Sequence, residues 1–188
     1  MRADRAAAAL AGLACAACVS AQPALEAAPK EAPKAEAAAA GSGPLEAFGW
    51  FAELAGSCWK GDHPDGKTSD TQCYLAQYER LLRGAIKVHR EGAPQPVFEG
   101  DAVFSPDQTG QKRIVYTQWG TGGAYSTGQI TFEGDTLVFR NRQPDGNESD
   151  VRSVWRRTGP DGYRVTRERS IPEKGWLPLL EVDYRRLR

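Results

Sequence analysis

Cys58 and Cys73 stand at equal distances from the dipeptide Asp65-Gly66, and this symmetry limits the possible folds more than any other feature of the chain. Asp-Gly between two strand-like runs is a hairpin signal. Folding the chain about it sets the two thiols opposite each other. A two-residue loop would pair Pro64 with Lys67 as hydrogen-bonding partners, and proline has no N–H to give. A four-residue loop, Pro64-Asp65-Gly66-Lys67, removes the conflict and makes His63 and Thr68 the first hydrogen-bonded pair. Counting outward, Cys58 and Cys73 form a non-hydrogen-bonded pair. There the Cα atoms lie about 4.5 Å apart, within disulfide reach. A bridge predicts an oxidising compartment. Closing a loop of about 15 residues contributes roughly 3 kcal/mol in the chain-entropy model. The alternative is two free buried thiols. No Cys-x-x-Cys spacing joins them, which argues against a redox pair.

The N-terminal residues support export. Residues 1–5 carry two Arg, residues 6–19 are uncharged and rich in Ala and Leu, and Val19-x-Ala21 fits a small-residue cleavage site. Residues 1–21 therefore read as a secretory signal peptide, since a membrane-spanning helix needs about 20 apolar residues. The expected location is periplasmic or secreted. A lipid anchor at Cys15, within Leu13-Ala14-Cys15, is the alternative, and Gly12 suits it poorly. Residues 22–43 consist mainly of Ala, Pro, Lys and Glu, with Leu25 the one large apolar side chain. Such a segment buries too little surface to offset the entropy of ordering, and it reads as a disordered tether. All 5 Trp, 6 Tyr and 6 Phe fall in residues 44–188, which form one domain. Lys plus Arg equals Asp plus Glu at 24 each, so a neutral chain argues against nucleic acid as partner.

Within the domain, Leu45, Phe48, Phe51 and Leu54 recur at helical spacing, with Trp50 nearby. Pro44 suits the start of a short helix and Gly56 its end. Strand-like runs follow at 57–61, 71–80, 85–90, 97–105, 112–119, 124–132, 136–141, 150–157, 163–171 and 177–187, separated by short turns such as Arg83-Gly84 and Gly120-Thr121-Gly122-Gly123. No link is long enough for a parallel crossover. The prediction is an all-β fold, an up-and-down (meander) antiparallel barrel of about ten strands preceded by a short N-terminal helix.

The start of the domain resembles the lipocalin and nitrobindin-like calycin barrels. In those families a short helix leads into a first strand carrying Gly-x-Trp, often followed by a further Gly. Here Leu54-Ala55-Gly56-Ser57-Cys58-Trp59-Lys60-Gly61 is similar, with one extra residue before the Trp. The resemblance implies structural roles for Gly56, Trp59 and Gly61. It also implies an arginine late in the last strand packing over Trp59, which Arg186 or its neighbour Arg185 can supply. Nitrobindin-like barrels bind haem through a late histidine. The two histidines here, His63 and His89, are both early, so no cofactor is expected.

A barrel of about ten strands can enclose a small-molecule cavity. Val151, Ser153 and Trp155 share one strand face, as do Tyr163, Val165, Arg167, Arg169 and Ile171. Leu180, Val182, Tyr184 and Arg186 share a face opposite Leu179, Glu181, Asp183 and Arg185. At least one of Arg167, Arg169 and Glu181 should face inward. An inward arginine keeps its charge and needs a carboxylate or a bound anion. Two readings are open. Arg167 or Arg169, with Tyr184 and Trp155, holds an acidic head group in an aromatic-lined cup, or the same arginines pair with Glu168, Glu181 or Asp183. No metal site is expected, because Asp62, His63 and Asp65 offer too few ligands on one loop. No catalytic residues are expected, since there is no Gly-x-Ser-x-Gly elbow and no histidine beside a nucleophile. Asn147-Glu148-Ser149 is a formal glycosylation acceptor. The expectation is an exported, monomeric, non-enzymatic barrel binding a small amphipathic or anionic molecule, without a transmembrane segment. The alternatives are a cell-envelope interaction module using the barrel as a scaffold and, third, an enzyme using Glu99, Asp101 or Glu133.

Overall fold

The computed structural model describes residues 44–143 and 145–188. The segments read as signal peptide (1–21) and tether (22–43), with the anchor alternative at Cys15, lie outside the described residues. Ten strands follow in chain order: β1 (Ser57–Asp62), β2 (Thr68–Gln77), β3 (Leu81–Arg90), β4 (Phe98–Pro106), β5 (Arg113–Gly120), β6 (Ala124–Glu133), β7 (Thr136–Arg142), β8 (Glu148–Gly159), β9 (Gly162–Ile171) and β10 (Gly175–Arg186). Each pairs antiparallel with its sequence neighbour, and β10 returns to β1. The closed meander barrel is the expected architecture, and closure leaves no exposed sheet edge. No helix among the described residues is long and apolar enough to cross a membrane.

The first hairpin has the register derived from its cysteines. Cys58 is bridged to Cys73, with the two Cα atoms 3.9 Å apart. The His63 N–H donates to the Thr68 carbonyl at 2.8 Å, which makes 64–67 a four-residue loop. Asp65 holds that loop. Its carboxylate accepts from the Lys67 N–H at 2.9 Å, the Thr68 N–H at 2.8 Å and the Thr68 hydroxyl at 2.7 Å. These bonds to the charged form, led by the Thr68 hydroxyl, hold the carboxyl down to about 2 from its ordinary 3.8. A depressed native value means the stabilisation is complete above the ordinary value and fades as pH falls through the window from 3.8 to about 2. Asp65→Asn should therefore lower the melting temperature at pH 7 and converge with the parent near pH 2. Melting curves that stay parallel across that window would show that the carboxylate does not fasten the turn.

Residues Pro44–Leu54 form a 3-10 helix, where the sequence predicted only a short amphipathic helix. The apolar spacing of three in Leu45, Phe48, Phe51 and Leu54 suits the three-residue turn of that helix. Gly49, at φ 53, breaks the run, and Gly56, at φ 74, turns the chain into β1. Phe48, Phe51 and Leu54 are buried. The Phe51 ring meets Tyr74, Phe104, Phe139 and Trp155 edge-on, at centroid distances of 5.5, 5.0, 5.9 and 5.9 Å. The helix thus stoppers the barrel end where β1 begins. The Trp50 N–H bonds the Asp135 carbonyl at 2.9 Å, and Glu53 pairs with Arg157.

Two strand limits differ from expectation for a physical reason. The β2–β3 turn falls at Tyr78–Arg80, with Tyr78 and Glu79 at φ 52 and 56, and not at Arg83-Gly84. Gly84 lies inside β3 instead. A Cβ there would come within 3.2 Å of both the Tyr74 and Phe104 rings. Its lack of a side chain is a packing requirement that looked like a turn signal.

A candidate ligand cup inside the barrel

Alternation sends one side chain in two from each strand to the interior. On β7 to β10 these build a wall of stacked rings. Phe139 and Trp155 stack at 4.4 Å between centroids, Trp155 and Tyr163 at 5.0 Å, and Tyr163 and Tyr184 at 4.8 Å. Trp59 from β1 leans on Tyr163 at 5.3 Å, and the Arg186 guanidinium lies over the Trp59 ring at 4.9 Å. Gly61 completes the corner. A Cβ there would sit 2.5 Å from Val182 Cγ1 and 2.9 Å from the Tyr184 ring. Trp-x-Gly is therefore a close-packing motif: the Trp fills the barrel end and the Gly admits the last strand's tyrosine.

The tyrosine hydroxyls converge on a polar cluster from β2. Tyr184 donates to Asp70 Oδ2, while Gln72 Nε2 donates to the Tyr184 oxygen at 3.0 Å. Tyr74 and Tyr163 both donate to Gln72 Oε1, at 2.6 and 3.2 Å. Burial pushes the Asp70 carboxyl above its ordinary value, against the opposing effect of the Tyr184 bond. Burial likewise pushes the Tyr74, Tyr163 and Tyr184 hydroxyls well up, so they stay protonated donors. His63 Nε2 lies 3.7 Å from Asp70 Oδ2 and, among the described residues, has no hydrogen-bond partner. Trp155 Nε1 is buried and unpartnered in the same sense.

Beyond these groups, toward the end opposite the helix, lies a cup of about 320 Å³. Tyr74, Phe104, Tyr116, Phe139 and Trp155 form its aromatic part. Asp70, Gln118, Ser126, Asn141, Ser153 and Arg167 supply its polar part. Tyr116 donates to Asn141 Oδ1 across the strands. Arg167 carries the one arginine side chain of the lining, and among the described residues it has neither an ion pair nor a hydrogen bond.

No protein-family model matches the sequence, and no curated protein matches it. Among solved structures the chain is similar to the crystal structure of Rv2717c from M. tuberculosis. The two share 13% sequence identity with a TM-score of 0.51, over 77% of this chain and 98% of that one. That likeness shows a shared fold, and it is one of architecture.

Within this barrel the residues singled out from sequence separate. Arg167, Trp155 and Tyr184 come together around the cup. Arg169, two residues nearer the strand end, does not line it and pairs with Asp150 at 3.4 Å. The carboxylates that offered Arg167 a structural partner are engaged on the outer face. Glu168 meets Arg152 at 2.7 Å, and Arg164 takes Glu181 at 3.1 Å and Asp183 at 2.7 Å. Of the two arginines that could pack over Trp59, Arg186 does so. Asp70, Gln72, Tyr74, Tyr116 and Asn141 were missed by sequence reasoning. A signal for the β2 group existed. The cysteine register sets Gln72 opposite Trp59, so a buried Trp59 implies that 68, 70, 72 and 74 face inward with it.

Proposed function

We propose that this chain is an exported binding protein, without catalytic activity, that holds a small amphipathic anion in the barrel cup. The observation that carries the reading is Arg167, a permanent cation on the cup lining that has no ion pair among the described residues, while Glu168, Glu181 and Asp183 pair with other arginines. An anion would supply the missing partner, and the aromatic part of the cup suits an apolar body. Export rests on the Cys58–Cys73 bridge, which suits an oxidising compartment, together with the composition of residues 1–21.

The test uses two fluorescent probes of similar shape, anionic anilinonaphthalene sulfonate and neutral phenylnaphthylamine. Arg167→Met should weaken the sulfonate about tenfold to a hundredfold, the loss of one charge-assisted hydrogen bond, and leave the neutral probe within about twofold. Equal affinity of parent and variant for the sulfonate would refute the reading.

A further inference from the structure

Asp70 and Arg167 line the same cavity of about 320 Å³, yet among the described residues no ion pair joins them. Asp70 comes from β2 and Arg167 from β9, with β1 and β10 between them in the barrel. Asp70 is held by Tyr184 at Oδ2. Its other oxygen, Oδ1, has only the Gln72 amide, at 3.4 Å. The cup therefore holds, on different walls, an exposed arginine with no ion pair among the described residues and a buried carboxylate whose Oδ2 has His63 Nε2 at 3.7 Å and whose Oδ1 faces the cup with only the long Gln72 contact. A simple fatty acid would match the first and leave the second against hydrocarbon, which is unfavourable for a charged group. A molecule charged at both ends would match both.

We infer that the cup selects an amino-carboxylate, with the ligand's oxyanion on Arg167 and its ammonium on Asp70. This rests on the proposed binding function and specifies the ligand class for the same site. Tyr184 then acts as the brace that aims the Asp70 carboxylate, and the stacked wall behind it keeps that brace still.

The experiment is calorimetric titration of the oxidised protein with two matched series. One is butanoate, hexanoate and octanoate. The other is 4-aminobutanoate, 6-aminohexanoate and 8-aminooctanoate, which samples the span between the two charges. At one chain length at least, the amino acid should bind about tenfold or more tightly than the plain acid, the scale of one charge-assisted contact. Asp70→Asn should cut that advantage below about twofold, whereas Arg167→Met should weaken both series. If plain acids bind through Arg167 but the amino group adds nothing at any length, the inference is overturned and the anion-binding function stands. The same follows if the advantage survives Asp70→Asn. If neither series binds, both readings fall. Should Asp70→Asn fail to fold, the comparison of the two series on the parent protein decides alone.

Discussion

Phe51→Ala should cost about 3–5 kcal/mol of folding stability, the range for truncating a fully buried phenylalanine. Phe51 is 0% exposed and touches four aromatic rings edge-on, from β2, β4, β7 and β8. Those rings belong to a closed barrel whose strands cannot collapse inward without breaking ladder bonds. The cavity left behind would therefore stay open, and the cost should fall toward the top of the range. Chemical denaturation followed by tryptophan fluorescence measures it, since Trp59 and Trp155 report from the same end. For a domain of this size each kcal/mol moves the melting temperature by about 2–4 °C, so a drop of roughly 10 °C is expected. A loss under about 1 kcal/mol would mean that the helix merely lies against the barrel and does not close it.

Replacing both cysteines, as Cys58→Ser with Cys73→Ser, should cost about 3 kcal/mol for a loop of this length. The bridge alternates with the inward Gln72 and Tyr74, so it lies on the outer face of the first hairpin. The effect should therefore act on chain entropy in the unfolded state and leave the cup intact. Two readings check this together. Unfolding should shift to lower denaturant, and binding of the sulfonate probe to the folded variant should match the parent. Reduction of the parent should reproduce the shift. A variant as stable as the parent, or free thiols in a mass measurement of the purified protein, would overturn the argument.

The barrel was legible because its signals are local. Alternation, turn residues and short links each act over a few neighbours, and together they exclude a parallel sheet. The errors arose where a residue's local signal competed with a distant packing demand. Gly84 reads as a turn because glycine favours turns, but it is required by Tyr74 and Phe104 on adjoining strands. The real turn at Tyr78–Arg80 places two ordinary residues at positive φ, which no propensity rule predicts. The polar cluster shows the same limit. Asp70, Gln72 and Tyr184 are separated by up to 114 residues and meet only because β10 closes on β1.

Arg167 and Arg169 show most clearly what each level determines. From sequence they are equivalent, two arginines on one face of one strand with the same carboxylates in view. The sequence alone determined that the two share a face, the hairpin register around Cys58 and Cys73, and the antiparallel order of the strands, because these depend on period, turn chemistry and spacing along the chain. The tertiary structure alone decided that Arg169 would meet Asp150 at the strand end and that Arg167 would line the cup with no ion pair among the described residues. Depth along the barrel axis made that choice. It is set by how far the helix plug and the aromatic wall fill the interior, a sum over residues from every strand that no local pattern contains.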